Sequence, residues 1–261
     1  MSKTRLIFWV VTAAFLFSVG VWADTGTAPA PTSPEFPVYV MNKIDDQYRG
    51  TNSHGIMTMN VKTRHFERSI TLESWTLGKD YSLMRILKPL KEKGTSTLKA
   101  KNDLYTYLKK TDRTIKITSA MMGGSWMGSH FTNDDLVRHT RLERDFDITL
   151  DSKTLDAGST IYRFTLIPKK DAVVVWGKEV IEVRKSDLQP LKQTFFDEKL
   201  KPVRELTFSD YEKNGDRLMP MKMVMTPLDG SGEYTKVTWD NIDFNASIQK
   251  SFFSIQNLKS F

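Results

Sequence analysis

Apolar residues recur at helical spacing only near the start of the chain. Val40, Met41, Ile44 and Tyr48 fall on one stripe, Pro37 is placed to open a helix and Gly50 to end it, so a helix is predicted over about 38–49. Alternation dominates after that. Met57, Met59 and Val61 alternate with polar neighbours. Phe66, Ile70 and Leu72 share one parity of the next run, with Trp75 and Leu77 on the other. Tyr81–Leu87 follows the turn Gly78-Lys79-Asp80 and is stopped by Pro89, and Thr95–Lys99, Leu104–Leu108 and Ile115–Ile117 continue the run as hairpins. Further strands are predicted at Phe146–Leu150, Ile161–Ile167, Val173–Val183, Leu191–Phe196, Val203–Phe208, Leu218–Met225 and Tyr234–Trp239. Asn214-Gly215 and Asp229-Gly230 are turn signals among them. The tail from Ala246 to Phe253 has room for one or two helical turns before Ile255–Leu258.

The middle of the chain breaks this rhythm. Met121-Met122-Gly123-Gly124-Ser125-Trp126-Met127-Gly128 is apolar and does not alternate, and Phe131 follows it. Thr132 then reads as the N-cap of a short helix to about Arg138, with Asp134 and Asp135 in its first turn. No connection is long or helical enough for a repeated βαβ plan. The fold class is therefore mainly β within α+β. An open sheet of roughly ten or more antiparallel strands tends to curl, so the expected form is an unclosed β-barrel or strongly curved sheet. The N-terminal helix and a helical or loop lid would cover its concave face.

The first residues carry a different pattern. Lys3 and Arg5 precede an apolar stretch from Leu6 to Val21, and Val21-Trp22-Ala23 supplies small residues at the −3 and −1 positions of a cleavage site. Residues 1–23 are thus expected to be a cleaved secretory signal peptide. Residues 24–36, rich in Pro, Thr and Ala, are expected to be a disordered leader, and 37–261 a single domain, with the mature protein exported to the periplasm. The run is short for a membrane span of about 20 residues. The chain has no cysteine, which excludes disulfides, thiolate metal sites and a lipid-anchored N-terminus. The full chain carries +7, and about +5 once Lys3 and Arg5 are removed. In an exported protein that balance suits an anionic membrane surface rather than nucleic acid. Lys88, Lys91, Lys93, Lys109, Lys110 and Arg113 lie near predicted strand ends, where they would meet such a surface.

Motifs with chemistry are scarce. Gly123-Gly124-Ser125-Trp126-Met127 lacks the second glycine of a nucleophile elbow. Ser96-Thr97-Leu98-Lys99 has a Ser-x-x-Lys spacing but sits in an alternating strand. His54, His65, His130 and His139 form no metal-binding pair. The chain is read as a non-enzyme with no cofactor and no metal. What survives is the apolar loop. Met121, Met122, Trp126, Met127 and Phe131 are too apolar for an exposed turn, and methionine suits binding sites of variable shape. Two readings fit: a plug of the core, or a gate or wall for a lipid-like ligand. Trp75 and Met84 are further candidates for the cavity wall.

Several segments together resemble the outer-membrane lipoprotein-sorting proteins of the LolA/LolB-like superfamily. They are Ile44-Asp45-Asp46-Gln47-Tyr48-Arg49-Gly50, Leu87-Lys88-Pro89 with Lys93-Gly94-Thr95, and Tyr107-Leu108 with Arg113-Thr114-Ile115-Lys116-Ile117. Met121-Met122 with Gly124-Ser125-Trp126-Met127-Gly128-Ser129 follows, and Phe131-Thr132-Asn133-Asp134-Asp135-Leu136-Val137 is the most specific. Pro220, Phe253-Ser254-Ile255 and Asn257-Leu258 extend the likeness to the C-terminus. The resemblance implies an unclosed antiparallel barrel under a helical lid, with an apolar cavity for acyl chains and no catalysis. It further implies a carrier or receptor for lipids or lipoproteins that works with an inner-membrane exporter of the RND or ABC type. The alternative is an accessory protein that docks on such a transporter and carries nothing.

Overall fold

The computed structural model describes residues 28–137, 142–172 and 174–260. The expected signal peptide, 1–23, the start of the expected leader and Arg138 at the end of the predicted lid helix lie outside the described residues. Turns at 31–35 lead into α1 (Phe36–Arg49), which Gly50 ends at φ +58° as its N–H closes on the Asp46 carbonyl at 3.0 Å. The strands are β1 (Asn52–Lys62), β2 (Glu67–Leu77), β3 (Tyr81–Lys88), β4 (Ser96–Ala100), β5 (Asp103–Leu108) and β6 (Arg113–Ile117). After α2 (Asn133–Val137) and α3 (Leu142–Asp145) come β7 (Phe146–Leu150), β8 (Ile161–Pro168), β9 (Lys178–Arg184), β10 (Pro190–Phe196), β11 (Pro202–Asn214), β12 (Arg217–Pro227) and β13 (Tyr234–Asp243). A short α4 (Ile255–Lys259) closes the chain.

All strands join one 13-stranded antiparallel sheet, in the order β6-β5-β4-β3-β2-β1-β13-β12-β11-β10-β9-β8-β7. Two meanders, β1 to β6 and β7 to β13, meet where the first strand pairs with the last. β6 and β7 remain as the edges among the described strands, so the sheet is unclosed, as expected, but it is not strongly curled, unlike the strongly curved form also expected.

Period-2 alternation gives the sheet its faces. On β1, Ser53, Gly55, Met57, Met59 and Val61 are buried and their neighbours are not. On the inner face, α1 lays Phe36, Val40 and Met41 against Phe164, Leu166, Ile181 and Val183 of β8 and β9. Met57, Met59, Ile70, Leu72, Ile86 and Val237 form a second inner cluster around Trp126. A third lies on the outer face, where the C-terminal segment packs Phe253 and Leu258 against Leu83, Leu98 and Tyr107. β3 and β4 are therefore buried on both faces, which their sequences do not reveal.

One strand starts later than its β-branched run predicts. The stretch 174–177 is irregular and β9 begins at Lys178. Here the Gly177 N–H donates to the Phe196 carbonyl at 3.0 Å, and a Cβ on Gly177 would sit 2.4 Å from the Asp197 carbonyl oxygen. Trp176 packs tilted against Phe195, with 5.5 Å between centroids. β11 and β12 run further than predicted, in one unbroken register from Arg204↔Pro227 to Asn214↔Arg217; Pro220, which has no N–H to give the ladder, sits opposite Tyr211, next to Asp210 at φ +56°.

The seam between β1 and β13 has its own register shift at Ile56/Met57, and Gly55 sits beside it. A Cβ at 55 would lie 2.6 Å from the Asn241 carbonyl oxygen and 3.1 Å from Ile242 Cα. Both obstacles are backbone, so the strands themselves must part. Gly55→Ala is expected to lose about 1–3 kcal/mol of stability in denaturant unfolding. An unchanged midpoint would show that the seam tolerates displacement.

Candidate functional site

The segment between β6 and β7 crosses the inner face as a lid. Its start is a 3₁₀ turn at Ser119–Met121, and Trp126–Gly128 forms another, with Met127 held at φ +48°. Positive φ is costly for a side chain of this size, so surrounding contacts must hold it. They are visible. The Trp126 N–H donates to the Phe131 carbonyl at 2.8 Å, and Asn133 donates from its backbone N–H to Gly124 and from Nδ2 to Met121, each at 3.0 Å. Thr132 and Asp135 cap α2 reciprocally: the Thr132 N–H donates to Asp135 Oδ2 at 2.7 Å and the Asp135 N–H to Thr132 Oγ1 at 3.4 Å.

Among the described residues, the side chains of Arg204, His130 and Arg68 join that of Trp126 in fastening this lid to the sheet. Arg204 on β11 donates to Asp135 Oδ1 at 2.7 Å and to the His130 carbonyl at 2.8 Å, while its guanidinium lies 4.2 Å over the rings of Trp176 and Phe195. Both members of this ion pair are less than a tenth exposed, so water does not screen it. His130 bonds Thr235 at 2.9 Å and Glu233 at 3.2 Å. The Arg64 N–H, and then His130, hold the Glu233 carboxyl below its ordinary range. Arg68 on β2 donates to the Met127 carbonyl and pairs with Glu92 at 3.0 Å.

Between lid, α1 and sheet lies a cavity of about 240 Å³. Its walls come from β1 to β3, β9 to β13, α1 and the lid. Met57, Met84, Met223, Trp126, Phe131 and Trp239 supply apolar surface. Ser53, Ser74, Thr76 and Ser82 with Asp45 supply polar groups on the side nearest the β2–β3 turn. Three of the seven sequence candidates therefore meet at the cavity: Met84, Trp126 and Phe131. Met127 packs against the same cluster from the lid without lining the cavity. Met122 packs on Leu104, Ile117 and Val137, and Met121 is exposed. Trp75 is on the opposite, outer face, stacked on His54 at 5.3 Å and against Phe252 at 5.3 Å.

The residues that sequence reasoning passed over are Arg204 and the hydroxyls. Arg204 shares parity with Leu206 and Phe208, and Ser74 and Thr76 share it with Ile70 and Leu72. A polar residue on the apolar parity of a strand was the available signal. Among the described residues no group of three His, Asp or Glu converges to hold a metal ion.

Residues 78–260 match the model of a family described only as uncharacterized protein. No curated protein matches the chain. Among solved structures, it is similar to a Vibrio parahaemolyticus domain named for outer membrane lipoprotein sorting, at 22% identity and TM-score 0.74, over 87% of this chain and 100% of that one. A DUF1329 family protein from Desulfovibrio piger gives 22% identity and TM-score 0.75 over the same shares. A LolA superfamily protein from Nitrosomonas europaea gives 15% and 0.69, over 85% of this chain and 98% of that one. At these identities the likeness is one of fold, and the fold is the LolA-like one.

Trp126 is 5% exposed, and its Nε1–H donates to Thr97 Oγ1 at 3.1 Å. Trp126→Ala is expected to lose about 3–5 kcal/mol of stability in denaturant unfolding, and Thr97→Val about 1 kcal/mol. A Trp126→Ala protein as stable as wild type would mean that the indole lies in a mobile gate instead of a packed wall.

Proposed function

We propose, from the premise that the chain belongs to the uncharacterized-protein family matched over residues 78–260 and has the LolA-like fold, that it is a periplasmic carrier or receptor for the acyl chain of a lipid or lipoprotein. The observation that supports this reading is the largely apolar cavity under the lid. An alkyl chain in water costs about 0.8 kcal/mol per exposed CH₂. A molecule that crosses an aqueous compartment needs such a shelter and a cover that can be released. A cavity of about 240 Å³ lies below the range of roughly 300–1,000 Å³ for drug-sized ligands, which suits one alkyl chain better than two. The signal peptide at 1–23, with the domain at 37–261, belongs to this reading, as does an inner-membrane exporter as donor or acceptor. The cavity favours a carrier over an accessory protein that only docks.

The loops at one end of the sheet support a membrane contact. The β1–β2, β3–β4 and β5–β6 turns share that end by strand direction. Arg64 ties the β12–β13 loop to it through Glu233 at 2.8 Å, and Leu228 ties the β10–β11 turn through Val203 at 2.9 Å. These tips expose Phe66, Leu90, Leu108, Leu200 and Leu228, with Leu90 83% exposed. Lys88, Lys91, Lys109, Lys110 and Arg113 stand exposed beside them. Apolar tips among cations match an anionic bilayer, with about 1 kcal/mol per basic residue near the surface.

Protein purified gently from the periplasm and sprayed under native conditions is expected to carry bound lipid. Lipid-free protein that also fails to take up a fluorescent fatty-acyl probe would sink the carrier reading. Sedimentation with anionic liposomes is expected to fall as salt rises and to drop about fivefold for Leu90→Asp. Salt-independent sedimentation would remove the membrane contact.

A further inference from the structure

We infer that the cavity is built for a particular kind of amphiphile, one with a single alkyl chain and an uncharged hydrogen-bonding head that docks on Ser74 and Ser82. The inference rests on the carrier reading and narrows its ligand.

Three adjacent strands carry the same gradient along the inner face. β1 runs from Ser53 to Met57 and Met59, β2 from Thr76 and Ser74 to Leu72 and Ile70, and β3 from Ser82 through Met84 to Ile86. The registers place Ser53 opposite Thr76 and Thr76 opposite Ser82, so the hydroxyls form one patch, and the apolar ends meet beneath Trp126. Sheet cores are ordinarily apolar on the buried parity, and four hydroxyls in register are not explained by packing.

Their hydrogen bonds differ. Ser53 and Thr76 bond each other at 2.6 Å. Ser74 and Ser82, 4% and 3% exposed, both line the cavity, and their hydroxyl oxygens stay accessible to it. A hydroxyl that opens on a largely apolar cavity can give and take the hydrogen bonds of a ligand's polar head.

The charges around the patch select the head. Asp45 lines the same end, 3.7 Å from the Lys79 ammonium, and Lys79 also donates to Asn42 at 2.6 Å, strapping the β2–β3 turn to α1. Lys99, beside Ser82, gives its ammonium to the Lys79 carbonyl. Asp135, the other acid on the wall, is held by Arg204. Among the described residues no Lys, Arg or His lines the cavity. A carboxylate or phosphate head at this end would lie beside Asp45, with no cation facing it among the described lining residues, which is costly. A hydroxyl, ester or amide would give and take hydrogen bonds with both serines.

The test is displacement of the neutral apolar dye N-phenylnaphthylamine from the mature protein by 1-decanol and by decanoate at pH 8. Decanol is expected to bind roughly tenfold more tightly than decanoate. In Ser74→Ala/Ser82→Ala, decanol affinity should fall about tenfold, dye affinity should hold, and Tm should stay level or rise. The single variant Ser82→Ala should give part of the loss. Decanol affinity unchanged in the double variant, or decanoate binding as tightly as decanol, would overturn the head site while leaving the carrier reading intact. Failure of wild type to bind the dye and both amphiphiles would remove the carrier reading, and the head site with it.

Discussion

An open antiparallel sheet with an apolar inner face must cover that face, and this chain has few pieces with which to do so. A barrel that closes needs no cover because opposite strands fill its interior. Here β6 and β7 stay apart, and α1 and the segment between β6 and β7 supply most of the cover. α1 packs on the β8–β9 side and the lid on the β1–β3 side. Between the two lies the cavity, lined by both. It is the space left when two covers share one face, and its shape depends on how each is fastened.

Both fastenings combine apolar burial with polar contacts. α1 buries Val40 fully and sets Phe36 edge-on to Tyr162 at 5.2 Å, and Lys79 and Arg217 strap it to the sheet. The lid is held at its rim by polar contacts: Arg204 to Asp135, His130 to β13 and Arg68 to the Met127 carbonyl. Burial is non-directional and tolerates small shifts, whereas a guanidinium hydrogen bond is made or broken over a short distance. Met127, at φ +48°, marks the point where the lid's backbone carries strain.

The strand meander was legible because alternation is a local property. Nearly every predicted strand has its counterpart, and Met84 lies on the expected inner wall because it shares parity with Ile86. Trp75 shows where local reasoning ends. Its parity opposite Ile70 and Leu72 was plain, but the fate of that face is decided by a segment more than a hundred residues away. Phe252 and its neighbours fold back over the outer surface and bury the indole there. The loop 121–131 was legible as unusual and not as placed. Trp126 and Phe131 reach the cavity while Met121 stays exposed, since an irregular segment has no period from which to read direction.

Trp126 is packed and hydrogen-bonded like a core residue, yet one side of it bounds the cavity. Its seat is the cluster of Met57, Leu72 and Ile86, and the start and end of the loop are packed through Met122 and Val137. In the sheet beneath, Leu72 and Ile86 pack the core, while Ser74 and Ser82 on the same strands line the cavity.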